Sequence, residues 1–143
     1  MPIDELLAAG RIRRQAVSRR EIAQVLRLAE RDLKTARKIM RDDPDWGFAV
    51  AYNAVLQAGR ALMFARGYRP ASAEGHKNTF AFLLASLGSE HEDVITYFDR
   101  MRNKRNQAIY GMAGRVAETE ARNLLKQAES FVRLVQGMLS EPR

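Results

Sequence analysis

The chain has no cysteine in its 143 residues. That excludes a disulfide framework, a thiolate nucleophile and cysteine-ligated metal or iron–sulfur centres. It also fits a reducing compartment. Histidine is almost as scarce: His76 and His91 are the only two, and neither stands in a metal-ligand cluster. No Ser-His-Asp order, Gly-rich phosphate loop or HExxH motif is present, so neither a metal nor a cofactor is expected. Long apolar runs are missing too. The longest stretch without a charge, Trp46 to Gly59, has fourteen residues, short of the roughly 18–20 that span a membrane. The N-terminus, MPIDELLAAGRIRR, puts its acids before its apolar residues and its arginines after them. That order is the reverse of a secretory signal. The expectation is a soluble, cytoplasmic protein with no membrane partner.

What is present is ordinary in amount and uneven in placement. Hydrophobic residues make up 46% and charged residues 29%, a balance that builds a core and argues against disorder. The length suits one domain, residues 1–143, in which 1–17 form a short helix and a basic connector. The formal net charge is +7. Residues 11–41 hold eleven basic residues against three acids, a surplus of eight, so the other 112 residues sum to −1. A local basic stripe attracts polyanions; it reads equally well as a solvated helix face.

Apolar residues recur at three and four, and no segment alternates strictly at two, so the chain reads as all-α. The expected architecture is an antiparallel up-and-down bundle of five to six helices with a four-helix core. A short helix covers Ile3 to Ala9. Ser18 and Glu21 form a capping box that opens a second helix, which Asp42-Asp43-Pro44 stops. Asp43 then caps a third helix with Pro44 in its first turn. That cap accounts for Asp42, Asp43 and Asp45 better than a cation does. The third helix, to about Arg66, is apolar nearly all round and is the expected centre of the bundle. Residues 67–75 read as a loop. A fourth helix runs from His76 to Leu87 with Phe80, Leu83, Leu84 and Leu87 inward. Ser89 and Glu92 form a second capping box that opens a fifth helix to Tyr110. The last helix runs from Ala117 to Leu139.

The fifth helix carries the candidate chemistry. Its inward stripe is Val94, Phe98, Met101, Arg105, Ala108, Met112, with an arginine in the middle of an apolar seam. Such an arginine is paired with a carboxylate or lines a cleft, because an unpaired buried charge costs several kcal/mol. Arg102, Arg105, Asn106, Ile109 and Tyr110 span an arc of roughly 140° at about 100° per residue. Two guanidiniums, an amide and a phenol on one face suit phosphates and base edges. The other reading is a structural arginine tied to an acid on a neighbouring helix. His76, at a helix start, reads as a surface or capping residue that can also help a cleft. His91, among acids, reads as solvated.

The stretch Arg105-Asn106-Gln107-Ala108-Ile109-Tyr110 resembles the signature of the HEPN domains: Arg, then Asn, Asp or His, then three residues, then His. The preceding MRNK, the third helix with Asp45, Ala49 and Ala51-Tyr52-Asn53-Ala54, and the segments Gly67-Tyr68-Arg69 and Gly75-His76-Lys77 look like the same family. The resemblance covers roughly residues 18–136. It implies a helical bundle that dimerises, and either RNA or nucleotide binding or metal-independent endoribonuclease activity. It also implies a toxin–antitoxin setting with a nucleotidyltransferase antitoxin as partner. Arg105 would stabilise the phosphate, Asn106 would orient the site, and Arg102, Lys104 and His76 would add phosphate contacts. This sequence departs from the pattern at Tyr110, which stands where the motif has His. A phenol of pKa about 10 is a poor base at neutral pH. Met112 likewise replaces a tyrosine that some of these toxins carry. Three functions follow as expectations: an RNA- or nucleotide-phosphate-binding homodimer, an active ribonuclease that uses Tyr110 or His76, and a protein-interaction subunit that binds no nucleic acid.

Overall fold

A computed structural model describes residues 1–71, 74–110, 114 and 116–140, without the side chain of Tyr110. Six α-helices follow one another: α1 (Ile3–Ala8), α2 (Arg19–Ile39), α3 (Pro44–Ala65), α4 (Gly75–Ser86), α5 (Glu92–Tyr110) and α6 (Glu118–Ser140). The all-α bundle expected from periodicity is the fold observed. α3 packs against α2, α6, α5 and α4, which is where a helix lacking a polar face must sit. Phe48, Tyr52, Val55, Leu62 and Met63 on it are fully buried. No described helix is long and apolar enough to cross a membrane.

The helix starts obey local chemistry. The Ser18 hydroxyl accepts the Glu21 amide at 3.1 Å. The Asp43 carboxylate accepts the Trp46 amide at 3.1 Å, with Pro44 in the first turn behind it. Asp45 does something the cap reading did not foresee. Its two oxygens accept the amides of Gly114 and Val116 at 2.6 and 2.9 Å, which ties the end of the α5–α6 connection to the start of α3. Close approach explains two glycines. A Cβ on Gly47 would lie 2.8 Å from the Met40 sulfur and 3.1 Å from its Cα, and one on Gly59 would lie 3.0 Å from Leu83. Gly59 thereby lets α4 lie close on α3.

Four expectations need correction. First, the connector and the loop are not structureless. Ile12–Arg14 (β1) and Tyr68–Pro70 (β2) pair antiparallel, with Ile12 opposite Pro70 and Arg14 opposite Tyr68. Three-residue strands show no usable alternation, and their pairing partners are more than fifty residues apart. Second, Leu84 is not inward; it is 38% exposed, and Phe82 at 1% takes the core position. Third, Ser89 does not cap α5. Ser89–His91 form a 3-10 turn and the helix begins at Glu92. Fourth, the deep side of α5 is Ile95 and Phe98, both fully buried, whereas Val94, Met101, Arg105 and Ala108 are only partly covered. Met112, also placed on that seam, lies outside the described residues, as do 111 and 113.

Candidate functional site

The middle of α3, the first turn of α4 and the second half of α5 meet around one aromatic ring. Tyr52 is fully buried. Its hydroxyl lies 3.3 Å from Nδ1 of His76, the second residue of α4. The Arg105 guanidinium lies over the Tyr52 ring, with Cζ 5.8 Å from the centroid, within range of a cation–π contact. Phe80 backs the ring at 6.1 Å between centroids. The position of His76 is set by α4, which is anchored from two sides. The Arg11 Nε donates to the buried Asn78 at 2.8 Å, and Thr79 packs at Gly59 while bonding back to the Gly75 carbonyl at 2.8 Å.

The electrostatics of the cluster are lopsided. Burial holds the His76 pKa below the usual histidine value, and the charges of Arg105, Arg60 and Arg102 push it the same way. The imidazole is therefore neutral near pH 7. Burial raises the Tyr52 pKa, against the pull of Arg102 and Arg105 and with a smaller push from Asp99, so the phenol stays protonated. Arg102 is paired with Asp99 at 3.3 Å. Among the described residues no ion pair joins Arg105 or Arg60 to a carboxylate. Arg105 donates through Nη1 to Oδ1 of Asn106 at 3.2 Å, while its Nε is enclosed without a hydrogen-bond partner among the described residues. The structural alternative, Arg105 tied to an acid on a neighbouring helix, is thus not what the described residues contain.

The expected site residues separate into two groups. Arg102, Arg105 and His76 come together around Tyr52, with Asn106 exposed beside Arg105. Lys104 faces the other way, toward α6, where its Nζ is 2.6 Å from Glu120. The backbone of Tyr110 closes α5, and its side chain lies outside the described residues. Sequence reasoning missed Arg60 altogether and took Tyr52 only as part of the apolar third helix and of the resemblance. A signal for Arg60 was present: it is the sole charged residue between Trp46 and Ala65. A lone cation on a buried helix needs an explanation.

Two other places gather charge or space. On α2, Arg20, Arg27, Arg31, Lys34 and Lys38 are exposed, at helical spacing along about 27 Å of one face, and among the described residues only Arg31 of these is paired, with Asp32 at 3.2 Å. Between α2 and α6 a cavity of about 160 Å³ is lined partly by Leu33 and Val132, and its Arg37 is bound to Glu129 at 3.4 Å. Among the described residues no group of His, Asp or Glu is arranged to hold a metal ion.

Compared with known proteins, residues 22–138 match the family model described as HEPN domain. No curated protein matches the chain.

Proposed function

The chain belongs to the HEPN domain family, and from that membership and the α3–α4–α5 cluster we propose that it is a phosphate-binding module for RNA or nucleotides. The observation that carries the proposal is Arg105, half-buried and free of any carboxylate among the described residues, with its Nε enclosed and unpartnered. A partly desolvated guanidinium gains most from an oxyanion, because charge-assisted bonds strengthen where water is scarce. Arg60 and Arg102 add positive potential, Asn106 fixes one end of the fork, and the α2 face supplies sequence-independent attraction for a polyanion. Lys104 joins only if it leaves Glu120. The module is further proposed to work as a homodimer, with a nucleotidyltransferase antitoxin as partner in a toxin–antitoxin pair; family resemblance supports both.

A second reading, a metal-independent endoribonuclease, is favoured by one observation: an imidazole, His76, stands among the arginines. One experiment separates the readings. Full-length protein and Arg105→Ala are mixed with RNA in EDTA over a range of salt. Wild-type binding that weakens steeply with salt, falls about tenfold or more in the variant and leaves the RNA intact supports the binding module. Cleavage by wild type and none by the variant supports the nuclease. Absence of salt-sensitive binding in both overturns both readings and leaves a protein-interaction subunit.

A further inference from the structure

Resting on the phosphate-binding reading, we propose that the Tyr52–His76–Arg105 cluster selects a terminal phosphate, a phosphomonoester dianion, over the diester links of a nucleic-acid chain, and that His76 takes up a proton when the dianion binds. Charge balance sets the preference. Three guanidiniums act on His76, and among the described residues the one carboxylate paired with them is Asp99, on Arg102. A diester brings one negative charge, whereas a monoester carries about −1.5 to −2 at pH 7. Only the second comes close to neutralising Arg60 and Arg105 together.

The surroundings of His76 turn that charge into a protonation event. From α3 it faces Tyr52 and Arg60; from α5 it faces Arg102 and Arg105, with Asp99 behind. On α4 itself Lys77 is exposed, and the exposed carboxylate Glu74 stands at the helix start. On the N-terminal side Arg11 is engaged by Asn78, and on β2 Arg69 is engaged by Glu21 at 3.2 Å. The nearest fixed charges are thus mostly positive, and they act together with burial, the larger cause, in keeping the ring neutral. A bound dianion cancels most of that field and places an anion beside the ring, and an adjacent anion favours imidazolium.

The hydrogen bonding is wired for the change. In the tautomer we assign to the neutral ring, the protonated phenol donates to Nδ1 and the ring proton sits on Nε2, placed to donate to a phosphate oxygen. After proton uptake from solvent, Nδ1–H donates to the Tyr52 oxygen instead. The step is a proton transfer alone: one N–H bond forms on His76, one O–H bond of solvent is given up, and no bond of the phosphate changes.

The chain contains two histidines, so one NMR titration reads the proposal with an internal control. The Cε1–H signals of His76 and His91 are followed near pH 7 with a short RNA bearing a 5′-phosphate, the same RNA with a 5′-hydroxyl, a 5′-mononucleotide and inorganic phosphate. The expected result is about tenfold tighter binding of the 5′-phosphorylated RNA than of its hydroxyl twin. The phosphorylated probes should shift His76 toward its protonated position and leave His91 unmoved, and His76→Gln should erase most of the preference. Inorganic phosphate equal in affinity to the mononucleotide identifies the free anion as the ligand; a weaker inorganic phosphate identifies a nucleotide end. Equal binding of the two RNAs overturns the inference, as does a bound 5′-phosphate that leaves His76 neutral. If both RNAs bind equally and Arg105→Ala weakens both, the phosphate-binding module survives and this selectivity falls.

Discussion

α2 and the α3–α4–α5 cluster both gather arginine, but they hold it in different surroundings. The α2 cations stand in water, spaced along a helix face, and their effect is a field that salt screens within about 8–10 Å. The cluster adds little to the net charge. Its arginines are half-covered, one of them lies over a buried phenol, and together they act on the ionisation of a neighbouring imidazole. Where the excess charge lies and where charge is held in a shaped site are therefore different places in this chain. The first suits capture of a polyanion; the second suits recognition of one group on it.

Substitutions sharpen that contrast. The largest effect is expected at Tyr52, the hub of the cluster. Tyr52→Ala removes a fully buried aromatic ring, and denaturant unfolding should show a loss of about 3–5 kcal/mol. Tyr52→Phe, which keeps the ring, should stay well folded and report only on the His76 contact.

On α2 the expected effect is on binding, not stability. Arg27, Lys34 and Lys38 are exposed and without ion pairs among the described residues. Replacing all three by Gln should change unfolding little, while the slope of log affinity for single-stranded RNA against log salt should flatten by about 2, at roughly 0.7 per phosphate contact. A flat slope already in wild type would break the division of labour between the two regions.

The smallest effect is a pH dependence. Because the folded state holds His76 below the usual histidine value, the unfolded chain binds that proton first as pH falls. The stability owed to the neutral ring is complete above about pH 6.5 and is lost as pH drops through the lower folded value. Thermal unfolding between pH 7 and pH 5 should fall less steeply in His76→Gln than in wild type.

The helical frame was legible because it is written locally. Ser18 with Glu21, Asp43 with Pro44, and the unbroken apolar face of α3 each declare themselves within a few residues. The α5 arginines were legible as a face for the same reason. What was not legible depends on contacts across the fold. β1 and β2 are too short to show a pattern, and only their pairing makes them strands. Asp45 looked like part of a cap until the amides of Gly114 and Val116 arrived at it. His76 looked like a surface residue because its value comes from Tyr52 and three arginines on two other helices. Lys104 looked like a companion of Arg105, one residue away, yet a single helical step of about 100° turns it to Glu120 on α6. The resemblance pointed to α5; the side chains that Arg105 and Arg102 meet there come from α3 and α4.

The central claim is that Arg105 and its neighbours, not the α2 face, recognise phosphate. Arginine Nε–H signals test it most directly, because the Arg105 Nε is enclosed and unpartnered while Arg27 is exposed. Titration with a 5′-mononucleotide is predicted to shift the Arg105 and Arg102 signals along one saturating curve, and to leave Arg27 nearly still. Saturating shifts on Arg27 and its α2 neighbours, with Arg105 unmoved, would contradict the account.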